Sequence, residues 1–322
     1  MKHNVVTVFG GTGFLGRYIV RSLAQEGLQI RVVCRRPEEA LRCKPMGDVG
    51  QVVPVAANIR NKLSIGTAIE GSDVVINLVG VLFKRGVQNF HSIHVDGARS
   101  LAQEAHDAGV KRFIHFSAIG ADNNSKSEYA RSKKNGEDAV SEIFQEATIL
   151  RPSLVFGSED NFFNRFASMT RLLPILPLVG AQTKFQPVYV GDIAKAVVAC
   201  LHDKMTVSSC YEIGGPAVHS FQELMEMMLI ETKRKRLLMP LPFWVASLKA
   251  FFLEYLRIPF FLPNPLLTRD QVQLLKIDNI VGISSLKLKD LGIVPTPLQA
   301  ILPGYLARYR PAKFRSNTTR SL

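Results

Sequence analysis

The chain has 322 residues, 47% of them hydrophobic, and its 40 Lys and Arg against 27 Asp and Glu give a formal net charge of +13. That much apolar side chain argues against a disordered chain and supplies cores for roughly two domains. Cys34, Cys43, Cys200 and Cys210 fall in no CxxC or Cys/His ligand spacing. They argue against a secreted disulfide framework and against a thiolate metal site, and read as reduced thiols in a cytosol-like compartment.

A strand is predicted over Val5–Phe9, followed at once by Gly10-Gly11-Thr12-Gly13-Phe14-Leu15-Gly16 and a helix over 14–26 with apolar Leu15, Ile19, Val20 and Leu23. A glycine-rich turn joining a strand to a helix is the pattern of a dinucleotide site. Gly10 permits the sharp turn, Gly13 permits close approach of backbone to a pyrophosphate, and Gly16 permits tight packing of helix on strand. The helix N-terminus then faces phosphate charge.

The second strand, Gln29–Cys34, ends in Cys34-Arg35-Arg36. A site for NAD usually places an acid here to hold the ribose 2′-hydroxyl. A cysteine followed by two arginines instead offers planar cationic donors to a 2′-phosphate, so NADP(H) is expected in preference to NAD(H). Arg17 either adds to this patch or points to solvent. Asn58, after a third strand over Val52–Ala56, serves either the adenine edge or a plain turn.

Further strands are predicted over 74–78, 112–117 and 148–151, with crossover helices over 90–108 and 129–145. Gly71 and Gly109 stand where helices should stop. Strands alternating with helices specify an α/β fold, a doubly wound parallel sheet of the Rossmann type with helices on both faces.

After Arg151, prolines and large apolar residues become frequent. A first domain over 1–157 and a smaller, interleaved C-terminal lobe over 158–322 follow, with 185–201 expected to return to the first domain. A basic tail is expected from about residue 309. The stretch 237–263 presents a wide apolar face with Phe243, Trp244, Leu248, Phe251 and Phe252, broken by Lys249, Glu254 and Arg257 and by prolines. A spanning helix needs roughly 20 consecutive apolar residues, so this segment is not expected to cross a membrane. It either lies on a membrane or an integral partner, or forms the base of the small lobe.

The positive charge gathers in Lys233-Arg234-Lys235-Arg236 and in Arg308, Arg310, Lys313, Arg315 and Arg320. Nucleic acid is not expected, for no zinc spacing, helix-turn-helix or aromatic RNP-like strand accompanies it. An anionic membrane surface or an acidic protein fits better, beside the alternative of a solvated basic face.

Tyr129 and Lys133 lie four apart and share one face of a helix. A nearby lysine lowers a phenol pKa and can hold ribose hydroxyls, while the phenol passes a proton to or from a substrate oxygen. Ser117, at the end of the fifth strand, can bond the same oxygen. No metal site is expected.

Together these residues resemble the extended, atypical branch of the short-chain dehydrogenase/reductase superfamily. The resemblance implies that Ser117, Tyr129 and Lys133 form the catalytic set. It also implies that Gly10, Thr12, Gly13, Phe14, Leu15, Gly16, Arg35, Arg36, Asn58, Gly80, Tyr129, Lys133, Pro152 and Leu154 contact the cofactor, the last two from the run Arg151-Pro152-Ser153-Leu154-Val155-Phe156-Gly157 beside the nicotinamide.

Longer stretches resemble a narrower family, the Rossmann-type NADPH-binding accessory subunits of respiratory complex I (NADH:ubiquinone oxidoreductase) and their bacterial relatives. These are Pro45 through Gln51, Glu159 through Met169, Gln186 through Val190, Thr268 through Val272 and Asp290 through Leu298. This resemblance implies a nucleotide held with little or no turnover, and complex I subunits near the quinone site as partners. An active NADP-dependent reductase or epimerase of a hydrophobic substrate is the alternative. With a strand starting by residue 5, no presequence is expected. The expected location is cytoplasmic and peripheral on the inner membrane of a bacterium, or the matrix face in a mitochondrion.

Overall fold

A computed structural model of the protein describes residues 4–84, 86–255 and 267–312. The chain forms two compact units. The first consists of Met1–Pro152, Val190–Ile213 and Val281–Val294, and the second of Ser153–Tyr189, Gly214–Ile280 and Pro295–Leu322.

The first unit is built on seven strands: β1 (Val5–Phe9), β2 (Gln29–Cys34), β3 (Val52–Ala56), β4 (Val74–Asn77), β5 (Arg112–Phe116), β6 (Thr148–Pro152) and β7 (Cys210–Ile213). They lie in the order β7-β6-β5-β4-β1-β2-β3, all parallel. The chain runs outward from β1 in one direction and then, from β4, in the other. That reversal opens a crevice beyond the carboxyl ends of β1 and β4, where ligands of such sheets bind.

Buried on both faces, the central strands are near-continuous apolar runs, and every residue of β4 and β5 is buried. Helices α1 (Phe14–Gln25), α2 (Pro37–Ala40), α3 (Lys62–Ile69), α4 (Gly97–Asp107) and α5 (Glu128–Ile143) fill the crossovers. Packed side by side, α3, α4 and α5 cover a core that includes Phe9, Ile65, Leu101, Phe113 and Val140. Helix α1 packs instead beside the helix Val190–His202.

Two features of this unit bear on the site. The predicted helix over 90–108 is continuous in space, but its first part, His91–Asp96, is a π-helix feeding α4. Such widened turns displace one residue from the regular ladder and are frequent at functional sites. Helix α5 is well specified by sequence. Ser127 caps it by accepting from the Ala130 N–H, Glu128 sits in its first turn, and Ala130, Ala139 and Val140 face inward.

The second unit pairs short strands, Val155–Phe156 with Val188–Tyr189, Ile175–Val179 with Leu237–Leu241, and Lys184–Phe185 with His219–Ser220. Its core joins Phe156, Phe163, Phe221, Met228, Leu302 and Tyr305. The buried carboxylate of Asp160 accepts from the N–H groups of Gly157, Phe162 and Asn164 and from the Tyr305 hydroxyl at 2.6 Å. That ties the helix Leu298–Leu306 to the loop around 160.

The division differs from the expected one. The first unit ends at Pro152 rather than 157 and takes back Val190–Ile213 and Val281–Val294, whereas 185–189 stay with the second. Tyr309, near which the basic tail was expected to begin, closes a one-turn helix over Ala307–Tyr309. Arg308 bonds the Ser158 carbonyl, and Arg310 bonds the Glu231 carbonyl. Residues 256–263 of the expected apolar face, and Lys313, Arg315 and Arg320 of the expected basic tail, lie outside the described residues.

Candidate nucleotide site

The glycine turn closes β1 onto α1. The Gly10 N–H bonds the Val33 carbonyl at 3.1 Å, and the Gly13 N–H bonds the Gly10 carbonyl at 3.0 Å. A Cβ on Gly16 would stand 2.5 Å from the Gly10 oxygen and the Gly11 Cα, so glycine alone fits there. Helix α1 starts just after Gly13, its N-cap, without a side-chain cap and without an acid in its first turn. Its N–H groups and dipole are thus left for an anion.

Above this turn lies a cavity of about 320 Å³, lined by Gly10, Thr12 and Gly13, by Cys34, Arg35 and Arg36, by Asn58, and by the segment Leu78 to Val81. The Cys34 thiol donates to the Arg36 carbonyl at 3.0 Å, and burial raises its pKa, so the position where an acid would bind a ribose diol holds a neutral group. Arg35 is exposed on the cavity rim. Arg36 forms an ion pair with Glu39, which lines the same cavity. With the Arg36 side chain 70% exposed, that pair is weak enough for a phosphate to displace it. Asn58 makes a turn contact, its side-chain oxygen accepting from the Arg60 N–H at 3.1 Å, while also lining the cavity.

Beside the cavity, α5 brings Tyr129 and Lys133 to the carboxyl end of β5. Lys133 is buried, and its Nζ donates to the Phe116 carbonyl at 2.8 Å. Burial holds the ammonium pKa down to about 8, opposed by the carboxylate of Glu137 one turn on. Arg151 clasps Glu137 through Nε and Nη2 at 2.7 and 2.6 Å, which fixes that carboxylate in place. Ser117, just past β5, is 5% exposed, and its Oγ is buried without a hydrogen-bond partner. A buried hydroxyl without a protein partner is left available to a water or a ligand oxygen.

Helix α5 approaches the π-helix so closely that a Cβ on Gly136 would lie 2.1 Å from the His94 carbonyl oxygen. Residues 6–214 match the NAD dependent epimerase/dehydratase family. The chain belongs to that family. Its resemblance to extended short-chain dehydrogenases is thereby borne out, as is the Rossmann-type fold.

Among curated proteins, the chain is 39% identical to "NADH dehydrogenase [ubiquinone] 1 alpha subcomplex subunit 9, mitochondrial" of Arabidopsis thaliana, over 95% of this chain and 78% of the relative. It is 34% identical to "NADH-ubiquinone oxidoreductase 40 kDa subunit, mitochondrial" of Neurospora crassa, over 95% of this chain and 80% of the relative. Among solved structures, an NADPH-dependent quinone oxidoreductase from Escherichia coli, complexed with NADPH, superposes with a TM-score of 0.72 at 18% identity, over 94% of this chain and 99% of that one. At that identity the likeness speaks for the fold. The family is described as NAD dependent, and solved neighbours hold NAD or NADPH.

The structure brings Gly10, Thr12, Gly13, Arg35, Arg36, Asn58 and Gly80 around one cavity. Phe14 packs edge-on against Tyr18, and Leu15 and Gly16 continue α1. Pro152 ends β6, its carbonyl accepting from the Ile119 N–H at 3.1 Å. Leu154 belongs to the second unit, where its N–H bonds the Asn279 side chain. The sequence reading omits Glu39, the segment Leu78 to Val81 around Gly80, and His94. The available signal was Gly80 at the end of an apolar strand, followed by a histidine inside an amphipathic helix.

A lysine pKa near 8 in the folded chain, against 10.5 ordinarily, means that the unfolded chain binds more protons between these values. Lys133 therefore costs stability below pH 8, and this cost disappears as pH rises to 10.5. In denaturant titrations without nucleotide, Lys133→Met should lead the wild type by about 3 kcal/mol more at pH 8 than at pH 10.5. A difference that is constant across that window contradicts the assignment.

Proposed function

We propose that this protein is an NADP(H)-binding accessory subunit of membrane respiratory complex I, placed near its quinone site and with little or no turnover of its own. The observation that carries the proposal is the identity, over nearly the whole chain, with proteins named as subunits of mitochondrial NADH:ubiquinone oxidoreductase. The preference for NADP(H) over NAD(H) rests on the neutral Cys34 and the cationic Arg35 and Arg36 at the cavity.

Attachment is peripheral in this reading. No helix among the described residues is long and apolar enough to cross a membrane. In the second unit, the helix Phe243–Tyr255 exposes Trp244, Leu248 and Phe251, at 72%, 52% and 43%, along one stripe, with its small residues Ala246 and Ala250 turned inward. Lys233, Lys235 and Lys249 are exposed in the same unit, whereas Arg234 and Arg236 are drawn onto backbone carbonyls. An apolar stripe accompanied by lysines supports contact with an anionic membrane surface.

The retained Ser117, Tyr129 and Lys133, with the unsatisfied Ser117 hydroxyl, favour a second reading, an NADP-dependent reductase or epimerase of a hydrophobic substrate. Tyr129→Phe separates the two. Complex assembly in a strain dependent on the variant should stay near the wild-type level, whereas loss of a measurable turnover with assembly unaffected by deletion of the gene favours the enzyme.

Arg35→Ala combined with Arg36→Ala should weaken NADPH by about 1.5 to 3 kcal/mol for each charged hydrogen bond lost, and NADH far less, by calorimetric titration. Equal losses for both nucleotides refute the 2′-phosphate assignment.

A further inference from the structure

His94 is 2% exposed and sits in the π-helix, and both of its ring nitrogens are engaged. The Val81 N–H donates to Nε2 at 3.0 Å. The Ser132 hydroxyl spends its proton on the Tyr129 carbonyl at 2.7 Å, so at 2.8 Å from His94 Nδ1 it accepts. The imidazole is therefore neutral and protonated on Nδ1. Its burial, with the Lys133 cation close by, pushes the pKa down to about 2, which agrees with that state.

The ring is fixed in orientation as well as in protonation. It stacks on Phe90, with centroids 5.7 Å apart and planes 19° apart, and meets Tyr129 edge-on at 5.5 Å. A Cβ on Gly80 would stand 3.5 Å from His94 Nε2 and 3.6 Å from Lys133 Nζ, so the cavity wall rests on both groups. Its other anchor comes from β4. There the Val79 N–H bonds the Asn77 side-chain oxygen at 3.1 Å, and the Asn77 amide faces His115 Nδ1 at 3.2 Å.

We propose that His94 is a positioning residue for the nucleotide, registering the cavity wall Leu78 to Val81 against the helix that carries Tyr129 and Lys133. Any buried imidazole needs partners for both ring nitrogens, and here those partners come from two different segments, the cavity wall and α5. This one forms a continuous path, from the Val81 N–H through the ring and Ser132 to the Tyr129 carbonyl. The path fixes the distance between the wall lying over Lys133 and the first turn of α5. The inference rests on the NADP(H)-binding reading above.

The test uses the full chain and NADPH itself. A glutamine places its terminal oxygen near the position of Nε2 and can accept from Val81, whereas an asparagine reaches only as far as Nδ1 and Ser132. His94→Phe should weaken NADPH at least about tenfold and reduce the enhancement of reduced-nicotinamide fluorescence on binding. His94→Gln keeps only the Val81 side of the path and His94→Asn only the Ser132 side, so each should show most of the same loss, with thermal midpoints of Gln and Asn close to one another. Wild-type affinity in either Gln or Asn, or unchanged affinity in all three, overturns the role of His94. A wild type that binds no NADPH overturns the nucleotide reading on which it stands. Should the Phe variant fail to fold, the Gln and Asn pair still decides.

Discussion

The ammonium of Lys133 is taken out of water and set against the Phe116 carbonyl at the end of a central strand, and much of the first unit is arranged around that choice. An ion in the interior is tolerated only with partners of good geometry close at hand. Glu137 supplies the compensating charge and is itself held by Arg151 from β6. Helix α5 must lie deep to bring Lys133 there. Gly136 permits that depth, because any side chain would strike the His94 carbonyl. The widened helix around His94 is the complementary surface.

The same arrangement leaves polar groups arranged for a visitor. The Ser117 hydroxyl is buried and unsatisfied, the first turn of α1 is open toward the glycine turn, and the Leu78 to Val81 segment is anchored at two N–H groups by side chains from behind. A preorganised concave site of this kind loses little ordering entropy on binding, which suits a nucleotide that is held rather than exchanged.

Much of the first unit was legible in the sequence. The boundaries of β1, β2 and β3 could be read to the residue, most plainly for β1, a buried apolar run that ends at the glycine turn. Of helix α3 only the stop at Gly71 was legible, since KLSIGTAI is short and the exposed Leu63 blurs the stripe of Ile65, Ala68 and Ile69. In the second unit, two-residue strand pairs leave no period to detect. Pairings are also invisible in sequence. Nothing in the order of residues says that Arg36 meets Glu39, that Arg308 and Arg310 are spent on their own unit, or that His94 joins a loop to a helix.

The central claim is that this fold holds NADP(H) as a resident group. It is tested most directly by purifying the full chain, dialysing it at length, releasing bound nucleotide with acid and identifying it by mass spectrometry. The account predicts NADP(H) at close to one equivalent per chain after dialysis. A chain that emerges empty and takes up NADPH reversibly, with turnover of an added substrate, contradicts it.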